Sequence, residues 1–296
     1  MARGVATQHI RLPYTRTMQR GQPSRTALAA AYHRAAHQVL EDGRIFADPL
    51  AIRILGETPA GIRARAEERP DSHRMRLFIA VRTRFAEDAL AAAVERGVTQ
   101  LVILGAGVDT YAYRGPLRDR LHIFEIDHPA TQAWKRQRLA EAAIPEPSQL
   151  TFAPIDFEHQ TLADGLAAAG FDPARQTFFI WLGVVPYLSE DAVWSTLAFI
   201  AGLTAGAQVV FDYSDPPESF APEGRADHDA RAARVAGLGE AWISYFDPPQ
   251  LRVHLAALGF RDIEDLGPSG IAARYFPRST RRAADKGGHI LRAATL

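Results

Sequence analysis

Residues 101–110 read LVILGAGVDT, an apolar run that leads directly into a glycine turn. A short, unbroken apolar run indicates a strand that is buried on both faces, as in a parallel sheet. Glycines directly after such a strand let the backbone come close to a ligand, which is typical of nucleotide-binding folds. The stretch therefore predicts the first strand of a parallel sheet and a ligand-facing turn from Gly105 to Gly107.

The sequence beyond this stretch alternates between short apolar runs and amphipathic segments, a pattern typical of strand–helix–strand units. The predicted strands are 100–104, 122–126, 150–155, 177–182, 207–213, 260–266 and 289–293, and helices are expected between them at 129–143, 160–169, 189–203 and 248–258. Three further helices are expected ahead of the first strand, at 24–43, 49–55 and 75–97, with a polar connection at 56–70. The sequence predicts an α/β fold: a doubly wound, mostly parallel, seven-stranded Rossmann-like sheet with an N-terminal helical cap.

The chain is expected to divide into three parts. Residues 1–23 contain arginines but no acid and no apolar signal-peptide region, so we expect a mobile N-terminal arm. Residues 24–97 form the helical cap and a helix that faces the ligand. Residues 98–296 form the core, with a helical insertion near 216–247.

Composition excludes several classes of function. The 34 basic and 34 acidic residues cancel, which argues against a nucleic-acid or anionic-membrane partner and favours a small molecule. The absence of cysteine excludes disulfides, thiolate metal sites and a cysteine nucleophile, and it fits the cytoplasm. We find no membrane-spanning run, no hydrolase, metalloprotease or P-loop motif, and no metal-ligand spacing, so no metal is expected. The sequence does not determine the oligomeric state.

An acid at the end of the second predicted strand refines the type of ligand. Asp127 lies 22 residues after Gly105, where an acid hydrogen-bonds ribose hydroxyls in nucleotide-binding sheets. The third glycine of a dinucleotide motif is replaced by Thr110, so a ligand with a ribose but no pyrophosphate fits better. The alternative for Asp127 is a solvated strand end or a helix cap before Pro129.

Asp156 and Phe157 follow the third predicted strand. An acid followed by an aromatic residue can bond an adenine amino group while the ring packs against the base. Since parallel strands end at one edge of a sheet, the glycine turn, Asp127 and Asp156 are expected to meet in one crevice.

Several motifs together carry a family resemblance. They are SRTA (24–27), FADP (46–49), RTRF (82–85), LGAGVDT (104–110) with YR (113–114), FEIDHP (124–129), VPYL (185–188) and RYF (274–276). The chain resembles the bacterial branch of the leucine carboxyl methyltransferase family of class I S-adenosylmethionine-dependent methyltransferases. The resemblance covers about residues 24 to 276 in unchanged order.

This resemblance implies binding of S-adenosylmethionine, with S-adenosylhomocysteine as product. It assigns the methionine carboxylate to Arg82, the turn beneath the methionine to Gly105 and Gly107, the ribose to Asp127, and the adenine to Asp156 and Phe157. The alternative for Arg82 is one more solvated arginine on a helix that also carries Arg74, Arg76, Arg84 and Arg96. Some relatives have a glutamate where this chain has Leu182, so a polar contact from the fourth strand is absent or replaced.

On the substrate side we expect His33, Tyr187 and Arg274, with His128 and Asp212 as further polar side chains near the crevice. Each has an alternative: His33 on the surface, Tyr187 as a packing residue, and Arg274 as an anchor of the C-terminal segment to an acid. The expected function is S-adenosylmethionine-dependent O-methylation of a carboxylate or hydroxyl on a small molecule, such as a biosynthetic intermediate. The alternatives are a nicotinamide (NAD(P))-dependent oxidoreductase, which Thr110 disfavours, and a non-catalytic cofactor-binding protein.

Overall fold

The structure is a computed structural model that describes residues 24–69, 72–157, 159–237, 239–280 and 284–295. The predicted N-terminal arm, 1–23, lies outside the described residues. None of the helices in these ranges is long and apolar enough to cross a membrane.

Within the part of the chain that the structure describes, seven strands form one sheet in the order β3-β2-β1-β4-β5-β7-β6. They are β1 (Gln100–Leu104), β2 (His122–Asp127), β3 (Leu150–Pro154), β4 (Thr177–Trp181), β5 (Ala207–Ser214), β6 (Asp262–Leu266) and β7 (Gly288–Ala294). Strands β1 to β5 are paired in parallel, whereas β7 runs antiparallel to both β5 and β6. The carboxyl ends of β1 to β5 therefore lie along one edge, and the predicted doubly wound, mostly parallel sheet is confirmed.

Helices cover the sheet and form the cap. They are α1 (Arg25–Leu40), α2 (Ala51–Leu55), α3 (Pro59–Glu67), α4 (His73–Glu95), α5 (Tyr111–Arg114), α6 (Pro129–Glu141), α7 (Leu162–Ala168), α8 (Glu190–Ala201), α9 (Pro222–Gly237), α10 (Pro248–Leu258) and α11 (Pro268–Tyr275). Among the described residues, four helices precede β1, so the prediction of three was wrong. Thr58 caps α3 through its side chain and Pro59 starts it, within the segment that we expected to be a polar connection.

The alternating side chains of the strands build a core on each face of the sheet. On one face, Val102 and Leu104 of β1 pack with residues of α8 and α10. On the other face, Leu101 and Ile103 pack with residues of α4 and α6. Helix α4 lies across β4, β5 and β7 and contacts the cap helix α1, so it connects the cap to the sheet.

A buried charged cluster joins β5 to β7. The imidazole of His289 lies between two carboxylates, with Nε2 3.1 Å from Asp215 Oδ2 and Nδ1 2.9 Å from Asp265 Oδ1. Tyr213 stacks on this imidazole and donates its hydroxyl to Asp265 at 2.7 Å. Burial alone would lower the pKa of His289, but its hydrogen bonds to the two carboxylates outweigh burial and raise the pKa to about 9. The imidazole is therefore charged at neutral pH.

Candidate active site

A cavity of about 1240 Å³ opens at the carboxyl edge of β1 to β5. Residues of α1, α4, α9 and the segment after α9 complete its walls. The lining includes every residue predicted to bind the cofactor, together with two of the predicted substrate-side residues: Arg82, Gly105, Gly107, Asp127, Asp156, Phe157, His33 and Tyr187. The volume exceeds the upper end of the usual range for a single ligand, about 1000 Å³, so two molecules can be accommodated.

The glycine turn and Asp127 form a compact polar floor. Both Gly105 and Gly107 have positive φ, 64° and 47°, and a Cβ on Gly105 would lie 2.4 Å from Val184 Cγ2. Asp127 Oδ2 accepts a hydrogen bond from the Gly107 backbone N–H at 2.6 Å, and Oδ1 accepts one from the His128 backbone N–H at 2.7 Å. Burial raises the pKa of Asp127, although these backbone hydrogen bonds oppose the shift. The Asp127 carboxylate is thus fixed beside the turn that was predicted from the sequence to face a ligand.

Arg82 extends from α4 into the cavity and pairs with β5. Its Nη1 donates to Asp212 Oδ2 at 2.7 Å, and Asp212 Oδ1 accepts from the Gly183 backbone N–H at 2.6 Å. The Arg82 side chain is 11% exposed, against 50% for Arg84, so the solvated alternative does not describe it. Its buried Nε has no hydrogen-bond partner among the described residues. The guanidinium therefore retains a donor for another acceptor.

Asp156 and Phe157 lie directly after β3 and line the same cavity as Asp127. The ring of Phe157 also packs against the core on the α8 side of the sheet. The backbone N–H of Asp156 donates to Gln160 Oε1 at 3.3 Å. The three strand ends identified in the sequence thus meet in one crevice, as expected.

On the substrate side, Tyr187 and His33 differ in their surroundings. Tyr187 ends a 3₁₀ turn, Val185–Tyr187, where burial raises its pKa and hydrogen bonds with Trp242 and Thr26 oppose the shift. Burial and the positive charges of Arg76, Arg82 and Arg69 lower the pKa of His33 to about 4. The imidazole of His33 is therefore neutral at pH 7 and a weak base.

Arg274 is not among the residues that line the cavity. It lies on α11, where its Nη2 donates to Glu264 Oε1 of β6 at 2.8 Å. This geometry matches the alternative in which Arg274 anchors the C-terminal segment to an acid.

Glu240 is a cavity residue that the sequence reasoning missed. Its carboxylate accepts from Ser24 Oγ at 3.0 Å, from the Arg25 backbone N–H at 2.9 Å and from Thr26 Oγ1. These donors surround the N-terminus of α1, where an anion is favoured by the helix dipole. Glu240 thus joins the segment after α9 to the cap. Nothing local in the sequence signals a contact over this separation.

Asp48, in the quoted FADP motif, clamps the cap to the glycine turn. It is buried, and its Oδ2 accepts from Thr110 Oγ1 at 2.7 Å. Its carboxylate also lies 3.5 Å from Arg34 Nε and 3.4 Å from Arg114 Nε. Arg34 donates in turn to the Val108 carbonyl oxygen. Thr110, at the third glycine position, is therefore a structural contact of the cap.

The wall formed by α9 contains a second missed residue, His228. Its side chain is 4% exposed, and its Nδ1 lies 3.2 Å from Asp229 Oδ1. Its Nε2 is buried and has no hydrogen-bond partner among the described residues. The aromatic rings of Phe220, Trp242 and Tyr245 surround the imidazole, with centroid distances of 5.1, 5.8 and 5.5 Å. Within the described ranges no group of three or more metal-ligating side chains occurs.

Comparison with known proteins identifies a matching family model and several related proteins. A model of the family described as leucine carboxyl methyltransferase matches residues 27–201. YktD of Bacillus subtilis strain 168 is 30% identical over 289 residues, which covers 88% of this chain and 93% of YktD. SCO7813 of Streptomyces coelicolor is 36% identical over 204 residues, 63% of this chain and 70% of that protein. Both are named as S-adenosyl-L-methionine-dependent methyltransferases.

Among solved structures, human N-acetylserotonin methyltransferase in complex with S-adenosylmethionine is 16% identical. The match covers 90% of this chain and 65% of the human one, with a TM-score of 0.45. This likeness is too low for residue roles to be carried over.

Proposed function

The chain belongs to the leucine carboxyl methyltransferase family and is an S-adenosylmethionine-dependent methyltransferase, and from this premise we propose that it methylates an oxygen atom of a small molecule. The acceptor is a hydroxyl or a carboxylate, for instance on a biosynthetic intermediate. Family membership favours methyl transfer over the nicotinamide chemistry that the glycine turn alone left open.

The cavity fits the cofactor at three points. The free Nε of Arg82 offers a donor to the methionine carboxylate, since Asp212 occupies only Nη1. The turn at Gly105 and Gly107 leaves no room for side chains and allows backbone approach. Asp127, fixed by two backbone N–H groups, can accept from ribose hydroxyls. Asp156 and Phe157 would hold the adenine beside it.

The charges on the substrate side support an oxygen acceptor over an amine. Besides Asp127 and Asp156, three acids line the cavity, and each already has a partner: Asp212 pairs with Arg82, Glu240 caps α1, and Asp109 accepts from the Tyr111 backbone N–H. In contrast, the cavity-lining guanidinium of Arg231 has no carboxylate within 4 Å among the described residues. An ammonium substrate would find no free carboxylate there, whereas a neutral or anionic molecule would meet a positive charge. This charge balance is the observation that carries the proposal.

The bound cofactor supplies an electrophilic methyl group on a sulfonium. The protein's part is alignment and exclusion of water, because a single in-line displacement needs close approach of the two molecules. Helix α1 and the segment after α9 cover the cavity and are joined through Glu240. Tyr187 and His33 line this covered region and are proposed to contact the substrate.

The test uses S-adenosylmethionine with an isotopically labelled methyl group and a panel of small alcohols, phenols, carboxylic acids and amines. Label that mild alkali releases as methanol identifies methyl esters, whereas alkali-resistant label on an alcohol or phenol without nitrogen identifies ethers. Transfer to oxygen by the parent protein, lost in Asp127→Ala and retained in the surface variant Asp191→Ala, supports the proposal. Label found only on nitrogen or carbon acceptors would contradict it, and no transfer to any acceptor would favour the non-catalytic alternative.

A further inference from the structure

We propose that His228 accepts the proton of the substrate, that Asp229 positions its imidazole, and that the acceptor is a hydroxyl on an aromatic ring. This inference rests on the proposed function and narrows it, because a carboxylate acceptor needs no base.

The contact between the His228 imidazole and Asp229 is the first observation that supports this proposal. Asp229 lies at the surface, with its side chain 54% exposed, and its Oδ1 lies 3.2 Å from His228 Nδ1. Arg225 holds that carboxylate through Nε at 2.8 and 2.9 Å from its two oxygens. A carboxylate beside Nδ1 favours the tautomer with the proton on Nδ1, which leaves a lone pair on Nε2. This Nε2 is buried and has no partner among the described residues, and His228 is one of the residues that line the cavity.

The other histidines that line the cavity are less suitable. The pKa of His33, lowered to about 4 by burial and neighbouring arginines, makes it a weak proton acceptor. His128 caps α6, because its Nδ1 accepts from the Ala130 backbone N–H at 3.2 Å. His159 has a side chain that is 75% exposed and lies beyond β3, on the Asp156 side of the crevice. His228 alone among these four combines burial, a carboxylate at one ring nitrogen and a free second nitrogen.

A lone pair on Nε2 distinguishes between the two oxygen acceptors. It attracts a hydroxyl, which donates its hydrogen, and it repels a carboxylate, which has none to donate. In the reaction, the substrate oxygen forms a bond to the methyl carbon while the carbon–sulfur bond of the cofactor breaks and its electron pair stays on sulfur. The hydroxyl proton passes to Nε2, so His228 becomes a cation beside Asp229. Charge and atoms therefore balance without a further reactant.

The surroundings of His228 specify the body of the substrate. Phe220, Trp242 and Tyr245 all line the cavity and lie within 6 Å of the imidazole, measured between ring centroids. Aromatic faces and edges favour another planar ring in offset or edge-to-face packing. The backbone N–H of Ile243 donates to the Pro186 carbonyl oxygen at 2.7 Å, which fixes this aromatic wall beside Tyr187. An aromatic hydroxyl compound, a phenol or naphthol, matches both the wall and the base.

The first experiment reads the tautomer directly in the unmodified protein at pH 8. Nitrogen-15 NMR of the histidine rings, with the His228 signal identified by its absence in His228→Leu, is expected to show hydrogen on Nδ1 and a lone pair on Nε2. Asp229→Asn is expected to shift the population toward hydrogen on Nε2, since an amide can donate to Nδ1. Hydrogen on Nε2 in the parent protein would overturn the assignment.

The second experiment measures binding of two matched probes to the protein saturated with S-adenosylhomocysteine. We expect 2-naphthol to bind about tenfold more tightly than 2-methoxynaphthalene, the value of one good hydrogen bond. His228→Leu should remove this preference and leave 2-methoxynaphthalene within about twofold of its parent affinity. The control His254→Leu changes an exposed histidine of α10 outside the cavity and should behave like the parent.

No preference for 2-naphthol over 2-methoxynaphthalene in the parent protein, or an unchanged preference in His228→Leu, would overturn the inference. If His228→Leu does not fold, His228→Gln and the tautomer measurement decide, because glutamine keeps an acceptor but cannot take up the proton. Alkali-labile methyl esters as the sole products of the parent protein would refute the role of His228 while O-methylation stands. Absence of any transfer to oxygen would refute the proposed function itself. The tautomer and the probe affinities can be measured without methyl transfer, so the two failures are distinguishable.

Discussion

Removal of the Asp127 carboxylate is the most direct test of the cofactor site. In the structure its two oxygens accept from the backbone N–H groups of Gly107 and His128 at 2.6 and 2.7 Å, and each oxygen retains a second lone pair. Hydrogen bonds to a charged group contribute about 1.5 to 3 kcal/mol. Asp127→Ala is therefore expected to weaken the binding of S-adenosylhomocysteine by about 10- to 150-fold.

Isothermal calorimetry at 25 °C measures this affinity, and thermal unfolding checks that the variant is folded. Asp127→Asn keeps one oxygen acceptor for the turn while it removes the charge, so it should give an intermediate loss. Asp191→Ala, on the exposed start of α8, should bind like the parent. A folded Asp127→Ala protein with parent affinity would refute the ribose assignment.

Arg82→Lys should weaken S-adenosylhomocysteine binding by about tenfold or more, because a lysine ammonium cannot donate to Asp212 and to the cofactor carboxylate with the planar geometry of a guanidinium. Arg84→Lys, on the exposed side of α4, should have no effect in the same calorimetric assay. Equal affinities of Arg82→Lys and the parent protein would leave Arg82 only as the partner of Asp212. Asp48→Ala should lower the free energy of unfolding in urea by about 3 to 5 kcal/mol, since it leaves the buried Arg34 without its carboxylate, although Arg114 keeps its pair with Glu87. Asp88→Ala, which breaks an exposed pair, should cost less than about 1 kcal/mol. Similar losses in the two variants would show that the Asp48 contacts contribute little. The pKa of His289 is about 9 in the folded protein and ordinarily about 6.5, so its contribution is complete below pH 6.5 and is lost as the pH rises through 9. Unfolding free energy should therefore fall by up to about 3 kcal/mol across that window, and a His289→Gln protein with the same pH dependence would exclude the imidazole as the cause.

The parallel part of the sheet was predictable because its central strands are short apolar runs. Each run of the parallel region, such as 100–104 and 177–182, has turn residues at its ends, and burial on both faces leaves little ambiguity. Helix α3 was missed because only Ile62 among its residues is buried, so its hydrophobic period is weak. Thr58 followed by Pro59 was the available signal of its start.

The cofactor side of the cavity was also accessible from sequence, since parallel topology brings consecutive strand ends together. Asp127 beside Gly107 is a direct outcome of that rule. The substrate side was harder to predict because Glu240 and Trp242 reach the cavity through the path of an insertion, which no local periodicity specifies. His228 followed by Asp229 was visible as a pair, but a histidine next to an acid is common on exposed helices.

The clamp formed by Asp48 has a consequence for hydrogen exchange. The buried Asp48 carboxylate holds Thr110, which lies just after the glycine turn, together with Arg34 and Arg114. Local opening of the segment around Thr110 should therefore also release the connection between the cap helices α1 and α2. Amide groups near residues 46–50 and 105–110 should then exchange as one cooperative unit. Occupancy of the cofactor site would slow exchange in both segments, although residues 46–50 are not among those that line the cavity.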